Sequence, residues 1–159
     1  MSDGFYVVVK EPGFGPDPLP TWTDRPVAVM AFGSSPQTEV VRVDVPEVPG
    51  AFQILNVLGD EEADQLVALA ESLGFHADAP VSLPHDVRHN YNLNWVVSEA
   101  IDGVLWQRCR NFLHDWVGDQ HAVGINARFR FYRYSVGDYF SPHTDGAWPG
   151  SRVVDGALI

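Results

Sequence analysis

Between Ile125 and Tyr134 the chain alternates without a break. Ile125, Ala127, Phe129 and Phe131 fall on one parity, and Asn126, Arg128, Arg130, Tyr132 and Tyr134 on the other. A period of two predicts a β-strand with two unlike faces. One face is apolar and must be buried. The other carries arginines, whose guanidinium groups donate to acidic partners.

The rest of the sequence reads as strands, then helices, then strands, an α+β order. Residues 5–9, Phe-Tyr-Val-Val-Val, read as a strand, and residues 27–32 and 39–45 as two more. Pro12, Pro16, Pro18, Pro20 and Pro26, with Gly13 and Gly15, predict a loop or arm that holds neither a helix nor a central strand. Residues 51–58 read as a short strand leading to Gly59-Asp60. Asp60 is the expected N-cap of a helix, followed by Glu61 and Glu62 at its positive end. Leu66, Val67, Ala70 and Leu73 continue that helix at helical spacing, and Gly74 stops it. Residues 76–97, broken by Pro80 and Pro84, read as irregular. A second helix is expected over about 98–117, with Ile101, Leu105, Cys109, Phe112 and Trp116 on one face and Gly118 as its stop. After the alternating strand, Val136-Gly137-Asp138 reads as a turn, Tyr139 and Phe140 as extended, and Ala157-Leu158-Ile159 as the start of a strand.

A length of 159 residues suits one domain, and a 45% hydrophobic share is too high for a disordered chain. Ten basic against twenty-one acidic residues give a formal charge of −11, which argues against nucleic acid and membrane surfaces as partners. The single cysteine, Cys109, excludes an internal disulfide and a Cys-rich zinc module and reads as a small buried hydrophobe. The start, Met1-Ser2-Asp3-Gly4, lacks the basic region of a secretory signal, and the longest apolar run, Val27 to Phe32, is too short to span a bilayer. A cytoplasmic location is expected.

Two His-x-Asp pairs stand out. An imidazole and a carboxylate at i and i+2 on an extended segment share a face, and together they can take adjacent positions on Fe(II), Mn(II) or Zn(II). With six His and fourteen Asp, roughly half such a pair is expected by chance. His76-Ala77-Asp78 follows a helix end and reads as a solvated loop. His143-Thr144-Asp145 follows the alternating strand.

The stretch from Asn126 through Arg133-Tyr134, Gly137, Tyr139-Phe140 and His143-Thr144-Asp145-Gly146 resembles the Fe(II)/2-oxoglutarate-dependent dioxygenases of the prolyl-4-hydroxylase-like group. So do Leu55-Asn-Val-Leu58-Gly-Asp-Glu-Glu62, Leu73-Gly74-Phe75, Arg88-His89-Asn90 and the segment around Leu105-Trp106-Gln107-Arg108. The resemblance covers roughly residues 50–157 and is most specific over 126–146. It divides the chain into N-terminal strands with a Pro-rich arm, 1–49, and the N-terminal portion of a dioxygenase domain, 50–159. It implies a double-stranded β-helix (jelly roll) with packing helices, His143 and Asp145 as catalytic iron ligands, and Tyr134, Arg128 and Arg130 as contacts to 2-oxoglutarate. It implies hydroxylation of a protein side chain or a small molecule, with succinate and CO2 as co-products and ascorbate as a further cofactor. Arg88, Asn90 and Trp148 become candidates to touch substrate.

The family pattern also needs a second metal histidine well downstream, followed by an arginine or lysine. Here no histidine follows His143, and only Arg152 follows Asp145. The jelly roll is therefore expected to be incomplete at the C-terminus. A missing C-terminal segment, a second copy in a homodimer, or an internal third ligand (His121, His89 or His85) would complete it. The alternative reading is a non-catalytic truncated or assembly module of the same fold; a zinc hydrolase ranks below both. There is no nucleophile-elbow pattern and no P-loop.

Overall fold

The computed structural model describes residues 4–25, 28–33, 38–77 and 86–159. In chain order its elements are β1 (Phe5–Glu11), β2 (Leu19–Asp24), β3 (Val41–Asp44), β4 (Phe52–Leu55), α1 (Asp60–Leu73), β5 (Arg88–His89), β6 (Tyr91–Val96) and α2 (Glu99–Cys109). After one 3-10 turn come β7 (Trp116–Val117), β8 (Gln120–His121), β9 (Arg128–Arg133), β10 (Tyr139–Phe140), β11 (Val153–Val154) and β12 (Ala157–Leu158). The chain is α+β, mostly strands with two helices. Among the described residues the strands do not close into a barrel: one four-stranded sheet, in the order β1-β2-β6-β9, stands beside two-stranded ribbons β10-β5, β11-β12, β3-β4 and β7-β8.

The alternating segment forms β9 as expected, antiparallel to β6, with Leu93 opposite Phe131 and Trp95 opposite Phe129. Their shared face carries the core. Trp95 stacks on Phe131 with centroids 6.0 Å apart and meets Phe5 edge-on at 5.2 Å. Leu66, Ala70 and Leu73 of α1 and Ile101 of α2 belong to the same buried cluster. The opposite face of β2, β6 and β9 is polar. There Thr21, Asn92 and Asn94 are almost fully buried, with Asn94 paired to Arg130 and Asn92 to Tyr132.

Several expectations change. β2 contains Pro20 yet lies inside the sheet, between β1 and β6. Its parallel partnership with β6 covers only Thr21–Thr23, so Pro20 sits outside it and its missing N–H forfeits no bond to β6. Residues 28–33 are not a strand: Gln65 bonds both the amide and the carbonyl of Ala31, and Glu62 accepts the Gly33 amide, so α1 side chains satisfy this backbone. Val27 lies outside the described residues. The N-cap of α1 is Gly59, with Asp60 its first helical residue and Glu62 reaching back to the Gly59 amide at 3.0 Å. Gly74 ends α1 at φ 86° as expected. The stretch read as irregular after His76 holds the central strand β6 and its neighbour β5. The second helix stops at Cys109. Trp116, expected on its buried face, is 62% exposed on β7, and Gly118, at φ 62°, serves the β7–β8 turn. Burial raises the Cys109 thiol pKa against the pull of Arg108.

An ion pair fastens the helices to each other. Arg108 of α2 makes two hydrogen bonds to Glu62 of α1, at 2.7 and 2.9 Å, and a third to the Val57 carbonyl at 2.8 Å. Both side chains are more than nine-tenths buried. The Arg108 hydrogen bonds, aided by the Gly59 and Gly33 amides, outweigh burial and lower the Glu62 pKa to about 2. At the start of α2, Asp24 of β2 accepts the Trp95 indole N–H and the Ser98 amide, both at 2.9 Å. No helix among the described residues is long and apolar enough to cross a membrane.

Removing one member of the buried pair strands the other. Arg108→Met is expected to lower the unfolding free energy by about 3 kcal/mol in urea titrations at pH 7. Because the folded-state pKa of Glu62 is depressed, its contribution is complete above the ordinary carboxylate range and fades as pH falls toward 2. Glu62→Gln should therefore show a smaller acid-induced fall in Tm over that window than the parent chain.

Candidate metal pair and polar cleft

β10 pairs with β5, placing Tyr139 opposite His89 and Phe140 opposite Arg88. The Ser141 amide extends the ribbon by bonding the Val87 carbonyl at 2.9 Å. From this anchored end the chain delivers His143. Its ring stacks on Phe140, centroids 3.7 Å apart and nearly parallel. Nδ1 lies 2.8 Å from the Ser141 carbonyl oxygen. A carbonyl only accepts, so Nδ1 carries the proton and Nε2 of the neutral ring keeps its lone pair. That Nε2 is 3.3 Å from Asp145 Oδ1.

Two lone-pair donors face each other here. Either a second proton on the ring or a metal ion between them removes the repulsion. Ligand bonds of about 2.1 Å at right angles place two donors about 3 Å apart, close to what is seen. The i and i+2 spacing thus brings both groups to one side, as expected. His143 and Asp145 are 36% and 95% exposed, so an ion can reach them. The Nδ1 bond to Ser141 fixes tautomer and ring orientation, the role an outer partner plays for a metal-ligating histidine.

Asp145 also borders a cleft of about 370 Å³ with Gly146 and Trp148 on one side and Asn94, Asn126, Arg128 and Arg130 on the other. Arg130 donates to Asn94 Oδ1 at 3.3 Å. Arg128 is committed differently. Its guanidinium bonds Glu11 Oε2 at 2.6 Å and lies 5.8 Å from the Trp148 ring centroid. The same carboxylate oxygen accepts the Thr21 hydroxyl. Tyr134 is half exposed beside Tyr132 and is not part of this cleft's lining.

Of the histidines considered as a third ligand, His89 bonds Asp138 at 2.7 Å and His121 packs against Trp116 in the β7–β8 hairpin. His85 lies outside the described residues. Among the described residues no third His, Cys, Asp or Glu joins His143 and Asp145. Asp138, bonded by the Ser135 amide and by His89, has its pKa lowered. His76 pairs through its backbone with Asn92, and Asp78 lies outside the described residues.

Residues 88–94 carry a pattern that the irregular reading overlooked. Arg88, Asn90, Asn92 and Asn94 recur at period two and are all buried, whereas His89 and Tyr91 between them are exposed. That alternation marks a polar inner face. Glu11 had no comparable local signal, because its role depends on a partner 117 residues away.

No family model, curated protein or solved structure matches this chain.

Glu11→Ala leaves the Arg128 side chain, 9% exposed, without its carboxylate and Thr21 without its acceptor. A loss of about 3 kcal/mol in unfolding free energy is expected. The Glu11→Ala/Arg128→Met pair should lose less than the sum of the single variants, a coupling that a double-mutant cycle in urea reads directly.

Proposed function

We propose that this chain carries the core of an Fe(II)- and 2-oxoglutarate-dependent oxygenase that hydroxylates a small molecule or a protein side chain. The observation carrying this reading is the convergence of His143 Nε2 and Asp145 Oδ1 at 3.3 Å, with Nδ1 tied to the Ser141 carbonyl. A mixed nitrogen and oxygen donor set suits Fe(II) or Mn(II). The pair sits beside a cleft lined by arginine and asparagine, groups suited to an acidic co-substrate. In this reading β6 and β9 belong to one sheet of a jelly roll and the β5–β10 ribbon to the facing sheet, with the barrel completed by a further segment or a second copy.

Bound iron would supply the oxidising chemistry: 2-oxoglutarate, dioxygen and a substrate C–H bond give succinate, CO2 and the hydroxylated product. The chain's own groups have simpler tasks. His143 Nε2 and Asp145 Oδ1 would hold the ion. Ser141 keeps the imidazole lone pair aimed at it. Arg130, held by Asn94, presents positive charge to the cleft, while Arg128 and Glu11 form an internally neutral wall beneath Trp148. Tyr134 lies further along the β9 side, where its exposed hydroxyl is available to a bound acid.

Manganese stands in for ferrous ion in the test. Titration followed by electron paramagnetic resonance should show one Mn(II) bound per chain, with affinity falling at least tenfold in His143→Ala and in Asp145→Ala. Incubation with Fe(II), ascorbate and labelled 2-oxoglutarate should release CO2 and succinate in equal amounts. A chain that ignores Mn(II), or whose two variants bind it as well as the parent does, would leave the non-catalytic module as the better reading.

A further inference from the structure

Arg88 is the anomaly of the polar face. It is only 5% exposed, yet among the described residues its guanidinium has no carboxylate and no hydrogen-bond acceptor, and its nitrogens, not among the fully buried unpartnered atoms, keep contact with solvent. The other well-buried arginines are treated differently: Arg108 has Glu62 at 2.7 Å and Arg128 has Glu11 at 2.6 Å. Even Arg152, whose side chain is 44% exposed, reaches Asp102 at 2.6 Å. Burying a cation without an anion is costly. Among the described residues two ring faces attend it, Tyr132 and Phe140, each with its centroid 5.5 Å from the guanidinium carbon. Rings attract the charge but do not satisfy five N–H donors.

The neighbourhood adds two unmet groups. Asn90 Nδ2 and Asn92 Oδ1 are buried without hydrogen-bond partners, although Asn92 Nδ2 reaches Asn90 Oδ1 at 3.0 Å. Exchanging oxygen and nitrogen on both amides still leaves one donor and one acceptor over. Arg88 and the Asn90–Asn92 amide pair therefore offer unspent donors on the same side of the chain. Location narrows the purpose further. The Phe140 ring beneath Arg88 is the ring on which His143 stacks at 3.7 Å. With a formal charge of −11, the chain as a whole repels anions, so an acidic ligand would need a dedicated local cation.

We infer that Arg88, assisted by Asn90, is the anchor for a carboxylate of an organic acid bound next to His143 and Asp145. A guanidinium near two rings takes a carboxylate through paired N–H donors, which neutralises its charge and replaces water as the acceptor. Its place beside the metal pair rests on the proposed oxygenase function; its capacity to bind an acid does not require metal. The carboxylate belongs either to 2-oxoglutarate or to the substrate.

The test starts without metal. Glutarate, titrated at constant ionic strength against a chloride control, should raise the Tm of the parent chain saturably. Arg88→Met should unfold at the same temperature as the parent or higher, because the cation has no carboxylate partner to lose among the described residues, and should lose the glutarate response. Arg88→Lys, which keeps charge but not the paired donors, should bind glutarate at least tenfold more weakly. The inference is overturned if the parent ignores glutarate, if Arg88→Lys binds it as the parent does, or if Arg88→Met keeps the response. A fall in the Tm of Arg88→Met without ligand, with the response intact in Arg88→Lys, would identify a purely structural arginine. A second series adds Mn(II) and 2-oxoglutarate. An equal loss of 2-oxoglutarate affinity in Arg88→Met assigns the carboxylate to the co-substrate, and unchanged affinity assigns it to the substrate. Mn(II) affinity itself should not change in either Arg88 variant, so failure here and failure of the metal site are read separately.

Discussion

Both faces of the central sheet are covered, and only one of them is oily. The Leu93, Trp95, Phe129 and Phe131 face is packed under the helices and follows ordinary hydrophobic burial. On the other face Thr21, Asn92 and Asn94 are shielded from water too, while Arg128 and Arg130 are partly buried at the cleft, and every buried polar atom there must find a partner. Most do, through cross-strand pairs such as Arg128 with Glu11 and Arg130 with Asn94. That requirement organises the molecule. It brings Glu11 of the edge strand β1 to Arg128, and on this face it leaves one atom each of Asn90 and Asn92 buried without a partner, beside Arg88, which has no carboxylate among the described residues.

The His143–Asp145 pair and the polar face meet through Phe140. Its backbone is paired with Arg88, its ring contacts both that cation and His143, and the residue after it supports the ribbon at Val87. A short two-stranded ribbon is weak by itself. This one gains rigidity from His89 and Asp138, which tie β5 to the turn before β10, while Asp138 also accepts the Ser135 amide. His143 is thus carried on a segment anchored by backbone, ring and charge together, whereas Asp145 stays in open coil.

Legibility in the sequence followed the range of the interactions. β9 was plain, because alternation is a local property of ten consecutive residues. So was α1, whose spacing and terminal glycine lie within one segment. His143 and Asp145 were found because two positions suffice to define the pair. β2 was missed for the opposite reason: Pro20 within it and the prolines just before it argue locally against a central strand, and only the short overlap of Thr21–Thr23 with β6 explains why Pro20 is tolerated. β6 was hidden behind Pro80 and Pro84 upstream, which argued for irregular structure, although Leu93 and Trp95 alternate with Asn92 and Asn94 as they do in the sheet. The end of α2 was overrun because Phe112 and Trp116 continue its spacing, although Trp116 turns out to face solvent on a hairpin. The Glu11–Arg128 pair was not accessible from local pattern at all.

The parallel seam between β2 and β6 has a consequence for how the chain reaches this form. Thr21 lies beside Asn94, and no hairpin connects them. β1 and β2 can zip together through a nearby turn, as can β3 with β4 and β7 with β8, but the sheet exists only once the intervening segment has been looped back. Closing such a long loop is entropically unfavourable until many contacts form at once. Assembly should therefore be slow relative to a helical chain of this length. The early hairpin would wait, one edge bare, until β6 arrives to accept it.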